Sequence, residues 1–211
     1  MKRAAPKPPP LSRDSIIDEG IRLLGDEGID GVSLRRLSAR LGIRAPSLYW
    51  HVPDKNALLA AMMERIFTGC IESVPATAHW RDWMREFGVA LWRTQAATRD
   101  FGRLFTTSPM EEEQVARTNA LIGERVAGLD IPRADAMRIQ GSVQALITGW
   151  SVFAHAAFSA ALHMDFRSRA LHDLDMLLEG EATRLGVARP RRLRASAPSP
   201  ASSSRRRSSK T

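Results

Sequence analysis

Apolar positions recur along this chain at intervals of three and four residues, the spacing of helical faces, and strand-like alternation is found nowhere. Ile17, Ile21 and Leu24 form a first stripe, opened by the capping residue Ser12 with Asp14 in its first turn and stopped by Gly28. Ser33 caps a second, short helix in which Leu34, Leu37 and Leu41 share a face, small Ala39 allows close approach, and Gly42 sits where a helix ends in the left-handed conformation. Pro46 suits the first turn of a third helix, because its missing N–H would be unpaired there anyway, and Leu48 with Val52 gives that helix its inward contact. Asp54 then caps a fourth, with Leu58, Leu59, Met62, Met63, Ile66 and Cys70 on its stripe. Ser73-Val74-Pro75-Ala76 breaks the pattern and marks a domain boundary.

A second group of helices follows. Trp80, Trp83, Met84, Phe87 and Leu91 keep helical spacing to about Arg99, Gly102 and Ser108-Pro109 interrupt the chain, and a further helix runs from about Glu111 to Ala127 near Gly128. Pro132 opens a long helix reaching about residue 162, with Val143, Leu146, Ile147, Trp150, Phe153, Ala157 and Phe158 on it. The last helix, about Phe166 to Leu185, aligns Leu171, Leu174, Leu178 and Leu185. The fold class is all-α.

With 211 residues, 44% of them hydrophobic, the chain can bury a sizeable core as one large or two small domains. Its single cysteine, Cys70, excludes an intramolecular disulfide and suits a reducing cytoplasm. Residues 1–10 are basic and Pro-rich with no apolar stretch behind them, which reads as a disordered arm offering Lys2, Arg3 and Lys7 rather than as a secretory signal. The net charge of +8 lies entirely in residues 187–211, where seven Arg and one Lys meet no acid; residues 1–186 balance 23 bases against 23 acids. Set in Ser, Ala and Pro, this tail should be disordered and should add non-specific, salt-sensitive affinity for DNA.

No charge occurs between Arg138 and Asp165, a run of 26 residues long enough to span a bilayer. Gln140, Ser142, Gln144, Thr148, Ser151, His155 and Ser159 punctuate it and aromatic belts are absent, so a helix buried in an oligomer is the better reading and no membrane partner is expected. Enzymatic signatures are missing too: no Gly-rich phosphate loop, no Gly-x-Ser-x-Gly elbow and no paired Cys motif. His79, His155, His163 and His172 are scattered, so neither a metal nor a cofactor is called for.

Chemistry concentrates instead in residues 33–56, where Arg35, Arg36, Arg40, Arg44 and Lys55 face the single acid Asp54. Two short helices joined by a Gly turn, the second basic and aromatic-bearing, fit the major groove of DNA. Residues from about Leu11 to Phe67 resemble the N-terminal domain of the tetracycline-repressor (TetR) family of bacterial transcription regulators, and in particular its tetracycline-repressor type. The run Pro46-Ser47-Leu48-Tyr49-Trp50-His51-Val52 followed by Lys55 and Leu58-Leu59 is similar to the family's recognition-helix signature, and Gly28, Gly31, Leu37, Gly42, Tyr49 and Lys55 fall at the family's spacing.

The resemblance implies a helix-turn-helix DNA-binding domain with a connecting helix over residues 11–72, a helical ligand-binding and dimerisation domain over 73–186, and about nine helices in all. It implies a homodimer built through the last two long helices, binding a palindromic double-stranded operator and released by a small-molecule effector. By family habit the regulator is a repressor. Arg35 matches a base-reading arginine, and Arg44 departs from the acid often found nearby, so the operator should differ from those of tetracycline repressors. Pro46, Ser47 and Trp50 complete the base-facing set, Ser33 and Ala45 are counted among the DNA-binding residues, and Tyr49, His51 and Lys55 match residues that hold phosphates. Tetracycline repressors bind their drug as a magnesium chelate, but no match to the residues that hold the metal is found. An apolar, aromatic effector is expected in a pocket of Trp83, Phe87, Phe105, Gln144, Thr148 and His155. The competing readings are a helical protein-protein adaptor and a constitutive DNA-binding protein without an inducer.

Overall fold

Capping chemistry sets where the N-terminal helices begin. In the computed structural model, which describes residues 11–156 and 159–187, α1 (Arg13–Gly31) starts at Ser12, whose hydroxyl accepts from the Ser15 N–H at 3.1 Å while its own N–H donates to Ser15 Oγ at 3.0 Å. Gly28 does not end this helix, as its position suggests; it takes φ +74° and kinks it, and one more turn follows to Gly31. In α2 (Leu34–Leu41) the Ser33 hydroxyl accepts from Arg36 N at 3.3 Å, and Gly42 closes the helix with φ 67°. The short α3 (Ala45–Tyr49) carries Pro46 in its first turn, and α4 (Lys55–Glu72) is capped by Asp54, which accepts from Ala57 N at 2.8 Å. Ile16, Leu23, Leu24, Leu37, Leu48, Leu58 and Met62 are sealed together as the core of these four helices.

The body is built from α5 (Trp80–Ala97), α6 (Phe101–Thr107), α7 (Glu112–Val126), α8 (Arg133–Ala154) and α9 (Phe166–Arg184), with a 3-10 turn at Ser159–Leu162. The described residues thus hold nine α-helices and no strand. α5, α8 and α9 pack on one another around Trp83, Phe87, Val143, Ile147, Leu174 and Leu178. Trp83 stacks on Phe87 with ring centroids 5.4 Å apart. The Trp80 N–H at the start of α5 donates to Asp130 Oδ1 at 2.7 Å, which ties that end to the turn before α8.

Two features differ from the expected pattern. α6 fills the interval that Gly102 was expected to leave irregular, because Phe101 and Leu104 are buried and the Asp100 carbonyl accepts from Leu104 N at 2.9 Å. α6 also crosses the expected boundary at residue 73, since both of these side chains lie in the core of the N-terminal helices. α8 ends at Ala154 rather than near residue 162: His155 leaves the helix at φ −97°, ψ 1°, and its ring Nδ1 lies 2.7 Å from the Ser151 carbonyl. Ala157, Phe158, the arm at 1–10 and the tail from 188 onward lie outside the described residues. Among the described residues, no helix is long and apolar enough to cross a membrane.

Candidate nucleic-acid interface and ligand cavity

α3 is held from one side. Leu48 and Val52 are fully buried in the N-terminal core, and helical geometry then turns their neighbours outward, leaving Tyr49 52% and Trp50 90% exposed. Trp50 is the C-cap of α3, so its ring stands in the open at the end of that helix, beside the exposed Tyr49. Arg35, Arg44, Pro46, Ser47 and Lys55 are exposed as well, while Ser33, Ala45 and His51 are half-buried. Ser33 serves the backbone as the cap of α2, so its hydroxyl is already engaged.

Ion pairing divides the basic residues of this segment into two groups. Arg36 pairs with Glu27, and Arg40 pairs with Glu19 at 2.6 Å and Asp26 at 2.7 Å, so both are spent on bracing α2 against α1. Among the described residues, Arg35 and Arg44 have no acidic partner, which leaves their forked donors available for acceptors on a base edge or a phosphate. Lys55 Nζ donates to the Ile29 carbonyl at 3.3 Å, a bracing contact that the sequence pattern does not disclose.

A cavity of about 70 Å³ lies between α4, α5, α6 and α8. Of the residues expected to line it, Phe105, Gln144 and Thr148 stand in its wall. Trp83, Phe87 and His155 do not. Trp83 and Phe87 are buried in the body core, where they stack on each other and Phe87 meets Phe67 of α4 edge-on, and His155 lies exposed beyond the end of α8. The wall includes instead Met63 and Ile66 of α4, Leu91 and Gln95 of α5, and Phe101 of α6. Gln95 had a signal in the sequence: it continues the stripe Phe87, Leu91 at the next i+4 position, a polar residue where an apolar one is due.

Gln95 is buried, and its Nε2 donates to Thr148 Oγ1 at 2.9 Å. Its Oε1 is buried with no hydrogen-bond partner. Apart from Cys70, whose thiol is pushed up by burial, no titratable side chain lines the cavity, so its wall offers no carboxylate or imidazole to a divalent ion. Phe105, Gln144 and Thr148 also border a wider open groove of about 760 Å³ along α8.

The seam between body and reader is bolted in two further places. The Asp100 carboxylate accepts from the Ile29 N–H at 2.8 Å, Arg99 donates to the Asp26 carbonyl at 2.7 Å, and Arg103 grips Asp30 through two bonds of 2.8 and 2.7 Å. Arg103 thereby holds the Asp30 carboxyl below the usual carboxylate range. Across α4, Arg117 and Gln114 of α7 hydrogen-bond Glu64 and lower its pKa, the arginine contributing more.

An exposed pair of short helices, α2 and α3, is thus joined by α4 to a helical body that holds a cavity, the arrangement of a helix-turn-helix domain on a second helical domain. Residues 16–62 match the family model described as bacterial regulatory proteins, tetR family. The chain is 36% identical over 106 residues to the class D tetracycline repressor of Escherichia coli, a match covering 49% of each chain; it thus aligns with about half the length of that relative. In structure it resembles a TetR variant from Acinetobacter baumannii AYE in complex with minocycline, with a TM-score of 0.64 and 24% identity over 84% of this chain and 99% of that one. It also resembles the TetR family protein ActR of Streptomyces coelicolor in complex with (S)-DNPA, with a TM-score of 0.64 and 19% identity over 84% of this chain and 100% of that one. Residues 16–62 thus carry the DNA-binding domain of the tetR family, and the chain as a whole has the fold of the tetR-type proteins it resembles.

Proposed function

We propose that the protein is a homodimeric, ligand-responsive transcriptional repressor that binds an inverted-repeat operator and leaves it when a small apolar molecule fills the cavity. The observation that carries this reading is the ownership of the cavity wall. Met63 and Phe101 belong to the core of the reader, whereas Cys70 and Leu91 belong to the core of the body, so one occupant would touch both. A molecule seated there would press on α4, and a small tilt of α4 would move α3, whose contacts must match a fixed groove. Two solved structures of similar fold hold small molecules, minocycline and (S)-DNPA, which supports a ligand-binding body.

Dimerisation is supported by the outer faces of α8 and α9. Gly141, Ala145 and Gly149 form an exposed small-residue row on α8, and His172, Met176 and Gly180 form an exposed row on α9, with Met176 61% exposed. Such faces suit a four-helix bundle between two copies. Arg35, Arg44 and Trp50 would read bases and Tyr49, His51 and Lys55 would hold phosphates, in a cytoplasmic protein without catalytic activity. Selection from a random duplex pool by the purified protein tests the reading. Inverted half-sites with centres about one helical turn apart, 10–10.5 bp, are expected. A selected site without two-fold symmetry, or no selection, contradicts it.

A further inference from the structure

We infer that the effector is an uncharged, largely apolar molecule carrying a hydrogen-bond donor, a hydroxyl or phenol, which pairs with Gln95 Oε1 inside the cavity. This rests on the reading of the cavity as a ligand site. A buried amide oxygen without a partner is costly, because its desolvation is uncompensated, and folded proteins leave few such groups. Gln95 is only 2% exposed, its Nε2 is committed to Thr148, and its Oε1 alone is left over, in a residue that lines the cavity. A ligand donor would satisfy that oxygen.

The rest of the wall sets the other properties. Met63, Ile66, Phe67, Leu91, Phe101 and Phe105 supply apolar and aromatic surface. No acidic, basic or histidine side chain is among the lining residues, so a charged ligand would lose its hydration with nothing to replace it.

The test is equilibrium dialysis of the full-length protein against 4-hydroxybiphenyl, 4-methylbiphenyl, 4-methoxybiphenyl and biphenyl-4-carboxylate. The hydroxyl compound should bind about five- to tenfold more tightly than the methyl and methoxy compounds, the magnitude of one net hydrogen bond, and the carboxylate should bind most weakly. In Gln95→Leu and Gln95→Met the preference for hydroxyl over methyl should vanish while 4-methylbiphenyl still binds, and a melting transition confirms that each variant is folded. Equal binding of the hydroxyl and methyl compounds to the unaltered protein overturns the donor assignment, as does a preference that survives both substitutions. Tighter binding of the methoxy compound assigns the site to an acceptor and likewise overturns it. Failure of all four probes to bind would instead remove the ligand reading of the cavity, and the donor assignment with it.

Discussion

Asp100 accepts a hydrogen bond from the Ile29 N–H across 71 positions of sequence, at 2.8 Å, and so fastens the turn before α6 to the end of α1. With it, α4 is no longer the sole link between reader and body. Asp100 itself stands at φ 54°, a conformation that Asp and Asn tolerate better than most residues. Asp100→Ala should therefore lose both the acceptor and the backbone tolerance, lowering stability by about 1–3 kcal/mol, while Asp100→Asn keeps most of both. Urea unfolding checks this; equal losses in the two variants would show that the carboxylate charge, and not the hydrogen bond, matters.

Gly28 belongs to the same junction. It has φ +74°, and a Cβ there would come within 2.7 Å of Asp100 Oδ2. Gly25, one turn earlier in α1, has nothing within 4 Å of where its Cβ would stand. Gly28→Ala should destabilise by about 1–3 kcal/mol, and Gly25→Ala should stabilise by about 0.5–1 kcal/mol through helix propensity. Thermal melts of the two variants should thus move in opposite directions.

The reader residues separate into kinds by their partners. Arg35→Ala should relax base preference at one or two operator positions by about 1–3 kcal/mol, whereas Lys55→Ala should weaken all sequences alike and lower the salt slope. Trp50→Ala should weaken operator binding yet leave stability within about 0.5 kcal/mol, because the side chain is 90% exposed. Competition binding with single-base operator variants, alongside melts, measures both.

Acid stability should report the α8–α9 pairing. Arg138 foremost, then Arg184, hydrogen-bond Glu181 and hold its pKa down at about 2 from an ordinary 4.5. A carboxylate with a lowered folded-state pKa binds its proton more readily when unfolded, so its contribution is present above about 4.5 and is lost as pH falls toward 2. Both arginines are nearly half exposed, so solvent screening limits that contribution to about 1–2 kcal/mol. Glu181→Gln should be less stable at neutral pH and should show a flatter loss between pH 4.5 and 2 than the unaltered protein, by denaturant titration at each pH.

The reader was legible in the sequence because its signals are local. Ser12, Ser33, Gly42 and Asp54 each fix a helix end within a turn of themselves, and the spacing of Leu37, Leu48 and Val52 fixes which face goes inward. The cavity was legible only in part, because a helical stripe gives a face without saying which neighbour covers it. Trp83 and Phe87 lie on the same α5 stripe as Leu91 and Gln95, yet the first two stack on each other in the body core while the last two line the cavity. α6 escaped notice for a related reason. Gly102 weakens its propensity, and what stabilises it is the docking of Phe101 and Leu104 into a core whose nearest member in sequence, Met63, lies 38 residues before Phe101, together with the Asp100 bond to Ile29 across 71 positions.

The central claim is that cavity and operator are energetically coupled through the shared wall at Met63 and Phe101. The most direct measurement is a pair of titrations of the dimer with 4-hydroxybiphenyl, or with a tighter aromatic successor, one without DNA and one with saturating selected operator. Linkage requires that the operator weaken the ligand by the same factor as the ligand weakens the operator, and a coupling of about 1–3 kcal/mol makes that factor about 5 to 150. Reciprocal weakening within that range is the predicted result. Ligand affinity that is identical with and without operator would contradict it.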